Sequence, residues 1–424
     1  MTDLRVGLRA NARQFALLVG ITALVGALAG LERSVLPLVG EEEYGLVSRA
    51  GILAFVAAFG ASKALANLFS GPFAERRGRK RVLVAGWVLV LPVAPLIALA
   101  PSWETIVVAN LLLGAGQGLA WSMTVVMKID LVGPVRRGLA LGLNESAGYV
   151  GVAVAAFATG AAAASVAPRT TVWVGATIVS ALGLALSVLL VRDTSDHAEQ
   201  EQGAHDRGDA PSLRRSLRAG ARVPVLRACA QAGFFNNLND AVIWGLMPLY
   251  LAAAGASVAQ IGVAAGLYPA VWGIAQIASG WASDHVGRKG LIVAGMLVQG
   301  AAYALLVAGG GELPPSLLAC VLLGLGTALV YPTLIAAVSD VVTPRERASA
   351  LGVYRFWRDA GFVGGAVALG LLADAMEIEV ALAVTGAVTA LSGIWVAFVH
   401  FPRLIVEGDG RHRTIHLERS TERA

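Results

Sequence analysis

The chain has 424 residues, of which 56% are hydrophobic and only 14% charged, with a formal net charge of +5. A soluble protein of this size carries about a quarter charged residues, so a water-soluble globular fold is excluded. No basic-aromatic nucleic-acid motif accompanies the positive charge, which reads as a membrane topology signal.

Apolar stretches long enough to cross a bilayer fall at 14–38, 49–73, 82–100, 104–130, 138–164, 170–191, 225–253, 258–282, 290–310, 315–341, 347–372 and 377–400, and are numbered here as spans 1 to 12. No small-residue cleavage site follows the first, so it reads as a retained helix and not a signal peptide. The segment 193–222 is polar and charged, and reads as a flexible linker between two sets of six spans. The two cysteines, Cys229 and Cys320, stand in apolar surroundings and make neither a disulfide framework nor a metal site.

The two sets are copies. Gly71-Pro72-Phe73-Ala74-Glu75-Arg76-Arg77-Gly78-Arg79-Lys80 returns 209 residues later as Gly280-Trp281-Ala282-Ser283-Asp284-His285-Val286-Gly287-Arg288-Lys289. Further on, Gly114, Gly116, Asp130, Pro134, Arg137, Leu141, Gly142 and Gly151 match Gly324, Gly326, Asp340, Pro344, Arg347, Leu351, Gly352 and Gly361 at an offset of 210. The expected fold is an all-α integral membrane protein of twelve transmembrane helices in two parallel six-helix repeats, with a cavity between them. The expected division is an N-terminal half 1–192, a linker 193–222, a C-terminal half 223–402 and a tail 403–424. With the N-terminus inside, the inner segments hold 26 of the 33 Lys and Arg, whereas the outer loops hold only Arg49 and Arg169. That asymmetry predicts both termini on the cytoplasmic side of a plasma (cell inner) membrane.

These features make the chain resemble the major facilitator superfamily. The resemblance rests on the twelve-span plan, the central loop and the G-x-x-x-[DE]-x-x-G-R-[KR] turn after spans 2 and 8, and it covers nearly the whole length. It implies alternating access by rocking of the two halves without ATP hydrolysis; no G-x-x-x-x-G-K-[ST] phosphate loop is present. The chain departs from the drug-antiporter members, which resemble one another in an arginine four residues before a glycine on span 4 and a Gly-Pro pair in span 5. Here the first place is Asn110, before Gly114, and 138–164 contains no proline.

In the repeated turn, Glu75 and Asp284 are placed near a helix N-terminus, whose partial positive charge favours an anion. Arg79 and Arg288 are placed to pair with Asp130 and Asp340, partners related by the same repeat. These six residues are expected to latch the inner side closed. The remaining bases of the first turn, Arg76, Arg77, Lys80 and Arg81, read as topology signals.

Ionisable residues inside spans are costly against lipid and mark function. The acids are Glu32, Asp130, Glu145, Asp240 and Asp359, and the bases are Arg33, Lys63, Lys128, Arg355 and Arg358. Arg355 and Arg358 share a helical face, and Asp359 is spaced to pair with Arg355. The repeat sets Glu145 opposite Arg355, a cross-half pair that either holds the halves together or breaks during transport. Glu32 and Arg33 precede Pro37 and read either as a proton site or as an outer-rim salt bridge. Asn236, Asn237, Asn239 and Asp240 form a polar cluster in span 7. Asp240 is a second proton-coupling candidate, while the amides read either as site or as bonds between helices. Lys63, matching Trp272 in the repeat, reads as an anion dock or as the neutraliser of a buried acid. Trp121 and Trp272, with Tyr268, Tyr331 and Trp357, are available to stack on a planar solute. Gly26-x-x-x-Gly30 reads as packing.

The sequence thus points to a secondary transporter of a small organic solute, proton-coupled, with export the first expectation by analogy. The alternatives are proton-symport uptake of an anionic metabolite, clamped by Lys63, Arg355 and Arg358, and a non-transporting membrane sensor. Protons, the solute and the lipid bilayer are the expected partners of a monomer, with no cofactor, metal or nucleic acid. No nucleophile-base constellation suggests an enzyme.

Overall fold

The structure, a computed structural model, describes residues 7–132, 137–197, 213–342, 347–401, 404–407 and 414–417, without the side chains of 75, 137–140, 213–216, 284 and 347–349 or of the two terminal strands. The helices are α1 (Ala12–Arg33, resumed as Leu36–Glu42), α2 (Arg49–Arg77), α3 (Arg79–Val90, resumed as Val93–Ala98), α4 (Trp103–Val132), α5 (Arg137–Ala162) and α6 (Pro168–Leu189). The second half supplies α7 (Pro224–Ala253), α8 (Val258–Val286), α9 (Arg288–Ala308), α10 (Leu313–Asp340), α11 (Arg347–Gly364, a π-helical turn Gly365–Leu369, then Gly370–Ala375) and α12 (Ile378–Phe398). Eleven of these are long and apolar enough to span a membrane among the described residues. The twelfth, α7, is 30 residues long and carries Asn236, Asn237, Asn239 and Asp240 within it. The chain is an integral, multi-pass membrane protein whose spanning part is all-helical, of the expected twelve-helix plan.

Two details depart from the sequence reading. The stretch read as a linker ends in a helix, Leu213–Arg222, packed on α7 and α11. The stretch read as a tail contains a two-stranded antiparallel hairpin, β1 (Leu404–Glu407) with β2 (Thr414–Leu417).

Both repeated turns reverse the chain on a glycine. Gly78 joins α2 to α3 at φ +86° and Gly287 joins α8 to α9 at φ +89°, a region that a side chain on the α-carbon disfavours. At the first turn the Asp193 carboxylate accepts from the backbone N–H of Lys80 at 2.8 Å and from Ser195. Partial burial opposes ionisation of Asp193, but these hydrogen bonds prevail and hold its carboxyl below the usual carboxylate range.

Within the first half, α1 lies so close on α5 that a Cβ at Gly26 would stand 2.0 Å from the Gly148 carbonyl oxygen, and one at Gly30 2.2 Å from that of Val152. The Gly26-x-x-x-Gly30 pair is therefore packing. Between the halves, α8 runs along α5 and α11 along α2. These seams are tightest toward the ends bearing Ser48 and Asp374: a Cβ at Gly160 would stand 2.4 Å from the Gly262 α-carbon, and one at Gly370 2.7 Å from that of Ala50. Toward the turn end, Gly71, Gly142, Gly280 and Gly352 meet nothing within 4 Å. Along these seams the glycines meet the other half at one end and in the middle, and open space at the end of the repeated turns.

Candidate functional site

Between the halves, a small partly open pocket is lined by Lys63 and Asn67 of α2, Trp121 of α4, Tyr149 of α5, Tyr331 of α10, and Arg355, Arg358 and Asp359 of α11. Its acid is already engaged. Asp359 accepts from Arg358 Nη1 at 3.0 Å and from Asn67 Nδ2 at 2.5 Å, and Asn67 in turn accepts from Ser122 at 2.9 Å. Arg358 also donates to the Tyr149 hydroxyl at 3.1 Å and lies 4.2 Å over the Tyr331 ring. The expected Arg355–Asp359 pair does not form; Asp359 pairs instead with the neighbouring Arg358 and with the amide of Asn67 on α2.

Lys63 is different. Its ammonium stands 5.2 Å from the Phe59 ring, 5.4 Å from Trp121 and 5.7 Å from Phe362, all favourable cation–π distances. Among the described residues no carboxylate lies within ion-pair distance of Lys63 or of Arg355. Lys63 therefore does not neutralise a buried acid by contact. Among the described residues, Lys63 and Arg355 are thus two cavity cations without a carboxylate bound to them.

Glu145 lies just behind this wall. Its Oε1 accepts from Trp121 Nε1 and Asn144 Nδ2, each at 3.1 Å, and its Oε2 accepts from the Tyr331 hydroxyl at 3.1 Å. The expected Glu145–Arg355 pair is thus replaced by Glu145–Tyr331, which still crosses between the halves. Tyr331 reaches the carboxylate from α10 while Arg355 lines the cavity. Beyond Glu145 the chain of bonds continues away from the cavity. Asn144 Oδ1 accepts from Thr22 at 3.2 Å and Thr124 at 3.3 Å, and the fully buried Lys128 donates to Thr22 at 2.8 Å and to the Leu18 carbonyl at 3.2 Å. Tyr149, Asn144 and Thr22 carry no charge and were not singled out by sequence; only their place on the inner faces of α1 and α5 reveals them.

A second buried group sits on the closed side. Glu32 is 2% and Arg33 0% exposed, which excludes the outer-rim salt bridge. The Arg33 guanidinium lies over three rings, Phe59 at 4.7 Å, Trp244 at 5.0 Å and Phe55 at 5.7 Å, and its three nitrogens have no hydrogen-bond partner among the described residues. Asp240 accepts from the Tyr268 hydroxyl, which lies 3.2 Å from Thr327 Oγ1. One oxygen each of Glu32 and Asp240 is buried without a partner among the described residues.

Other candidates lie elsewhere. Asn239 donates to Gln299 at 2.6 Å and accepts from Thr389 at 2.9 Å, while Gln299 donates to Asn236 at 3.1 Å. These amides join α7 to α9 and α12 and do not reach the cavity. Trp272 is fully buried and stacks on Tyr149 at 3.5 Å, one layer behind the lining. Trp357 is 47% exposed and points away.

At the turn end, Arg79 Nε donates to Asp130 at 2.8 Å and Arg288 Nε to Asp340 at 3.0 Å. Asp130 accepts a further bond from Thr194 at 2.6 Å, and Arg288 donates to Ser283 at 2.5 Å. Each ion pair stays within one half, joining α3 to α4 or α9 to α10. Neither pair is therefore itself a bond across the mouth. The side chains of Glu75 and Asp284 lie outside the described residues.

The sequence profile of the Major Facilitator Superfamily matches residues 22–234 and 229–412. The 3-(3-hydroxy-phenyl)propionate transporter of Escherichia coli (strain K12) is 30% identical over 188 residues, 44% of this chain and 44% of that one. The match therefore spans less than half the length of that relative. The crystal structure of a POT family transporter in complex with 5-aminolevulinic acid is similar with a TM-score of 0.72 at 12% identity, over 91% of this chain and 95% of that chain. At that identity the likeness concerns the fold.

Proposed function

The chain belongs to the Major Facilitator Superfamily and is a membrane transporter, not an enzyme; on that premise we propose that it moves a small organic anion by alternating access, together with a proton. One observation carries this reading: Lys63 and Arg355 face the cavity with no carboxylate bound to them among the described residues, while the cavity's one acid, Asp359, is held by Arg358 and Asn67. A cation lining a pocket within the membrane-spanning region favours a counter-charge, and an anionic solute supplies it. An organic cation would find no free acid among the residues lining the cavity, which weighs against a cationic solute. The rings of Trp121, Tyr149 and Tyr331 favour a solute with a planar apolar part. The named solute of the E. coli relative, an aromatic ring bearing a short carboxylate chain, has that chemistry.

The excess of Lys and Arg at the turn end supports placing that end in the cytoplasm, with the cavity facing the cytoplasm in this reading. Glu145 is the proposed proton carrier: it is buried, hydrogen-bonded to the cavity wall through Trp121 and Tyr331, and linked to both halves. Entry of an anion with a proton makes the movement uptake. The test uses proteoliposomes containing a pH-sensitive dye, with 3-(3-hydroxyphenyl)propionate and a lipophilic cation as probes. Proton flux in the direction of the carboxylate supports the reading. Proton flux opposite to the cation, with none for the carboxylate, overturns it and restores export.

A further inference from the structure

A second duplicated phrase lies immediately before the first helix of each half. Leu4-Arg5-Val6-Gly7-Leu8-Arg9-Ala10-Asn11-Ala12-Arg13 returns as Leu213-Arg214-Arg215-Ser216-Leu217-Arg218-Ala219-Gly220-Ala221-Arg222, both reading L-R-x-x-L-R-A-x-A-R. The offset is 209, the same as for the turn motif. The arginines recur every four residues, a spacing that sets them on one side of the helix Leu213–Arg222 in the second copy; in the first, Arg9 lies in the turn that leads into α1 and Arg13 in its first turn. No Asp or Glu falls between Leu4 and Leu31 or between Leu213 and Asn239.

The described residues of both copies touch their own half. The Gly7 N–H donates to the Leu131 carbonyl at 2.9 Å, the Asn11 amide donates to the same oxygen at 3.1 Å, and Leu8 packs on Phe15 and Val132. In the second copy Ala219 packs on the cluster that includes Leu226, Val338 and Ala350. The arginines face the other way: Arg9, Arg13, Arg218 and Arg222 are exposed and make no ion pair among the described residues. Each stripe sits where α1 or α7 begins its span, at the end of the molecule that bears the repeated turns.

We propose that these two stripes are equivalent binding sites for the phosphate headgroups of acidic phospholipids, one site on each half. The ligand follows from chemistry and position. The guanidinium fork matches phosphate oxygens in two-point contact, and arginines held at a membrane boundary meet lipid phosphate before any other anion. A bare topology signal depends on the number of positive charges and not on their register. Here the spacing and the flanking leucines and alanines are repeated together, and each copy touches its own half through its own set of contacts. The consequence is that each half is tethered to the leaflet at the mouth of the cavity, and rocking proceeds about two lipid-held edges.

The test compares lipids retained by the purified full-length protein from membranes containing phosphatidylglycerol and phosphatidylcholine. The wild type is expected to retain phosphatidylglycerol several-fold over phosphatidylcholine, with the enrichment falling as salt rises. The quadruple variant Arg9→Gln, Arg13→Gln, Arg218→Gln, Arg222→Gln should retain no enrichment, and each two-residue variant about half of it. The quadruple Lys variant should keep most of it. Orientation is checked by protease access to the segment 198–212. Unchanged enrichment in a correctly oriented Gln variant overturns the proposal. So does equal release of lipid by millimolar inorganic phosphate, which would make the stripes general phosphate sites, or enrichment in the wild type that does not respond to salt. Should the Gln variant fail to insert, the salt and phosphate titrations of the wild type decide.

Discussion

Asp374 meets Ser48 across the seam between the halves. The Ser48 hydroxyl donates to the Asp374 carboxylate at 2.7 Å, the backbone N–H of Ala50 donates at 3.1 Å, and that of Arg49 donates to the other carboxylate oxygen. A carboxylate of α11 therefore caps the first turn of α2, and this cap exists only while that end is closed. Loss of a helix cap costs about 1 kcal/mol, and such a change shifts a two-state ratio roughly five-fold. Ser48 still caps α2 internally through Gly51 at 3.0 Å, so Asp374→Ala should not unfold the helix. A cysteine placed at Leu53, which packs on Gly245 of the other half, should then react about five-fold faster with an impermeant maleimide from that side. An unchanged rate would show that the seal does not depend on Asp374.

Lys63 is the cation that the anion reading depends on. Hydrogen bonds to charged groups are worth about 1.5–3 kcal/mol, so Lys63→Gln should raise the KM for a transported carboxylate by roughly ten- to a hundred-fold. Lys63→Arg should restore part of the loss. The probe for both is uptake of labelled 3-(3-hydroxyphenyl)propionate. A Lys63→Gln protein with unchanged KM would move the anion site to Arg355 or elsewhere.

The fold was legible because lipid leaves few choices: long apolar runs, basic loops and a repeat in register specify twelve helices in two halves. The pairings Arg79–Asp130 and Arg288–Asp340 were legible for the same reason, since the repeat names each partner twice. The partner of Glu145 was not. Tyr331 lies 186 residues away on α10 and carries no charge at neutral pH, whereas equivalence of the halves pointed to Arg355. Nor could the sequence show that Asn236 and Asn239 bond to Gln299, the one amide side chain of α9. The break of α1 after Arg33 also decided what spacing could not: it leaves Glu32 and Arg33 sealed in the interior and not at the rim.

The two turn-end ion pairs should respond unequally to truncation. Asp130 is 8% exposed and Asp340 20%. Arg79→Ala leaves the more buried carboxylate with Thr194 alone among its described partners, and should cost about 2 kcal/mol. Arg288→Ala leaves Asp340 better able to reach water, and should cost about 1 kcal/mol or less. Thermal unfolding in detergent checks the order. Equal losses would mean that solvent access does not set the difference.

The amide ladder of α7, α9 and α12 should prove structural. Asn239→Ala leaves Gln299 and Thr389 without their bonds to it, at a cost of about 1–3 kcal/mol for the buried polar groups. Thermal stability should fall while KM and proton coupling in the folded fraction stay unchanged. A change in proton stoichiometry would instead place Asn239 in the coupling path.

Glu145 distinguishes two roles that the sequence left even: holding the halves together, or carrying the proton. Tyr331→Phe removes only the bond from Glu145 to the second half and leaves those from Trp121 and Asn144. Glu145→Gln keeps the volume of the side chain but removes the group that binds a proton. If Glu145 carries the proton, Glu145→Gln should exchange solute down its own gradient yet lose all response to an imposed pH gradient. Tyr331→Phe should then keep that response, with a lower rate. Both variants are read in the same proteoliposomes, by solute counterflow and by dye-reported proton flux. A Tyr331→Phe protein that loses the response as completely as Glu145→Gln would assign Glu145 to the seam between the halves, and the proton would have to travel through Glu32 or Asp240 on the closed side.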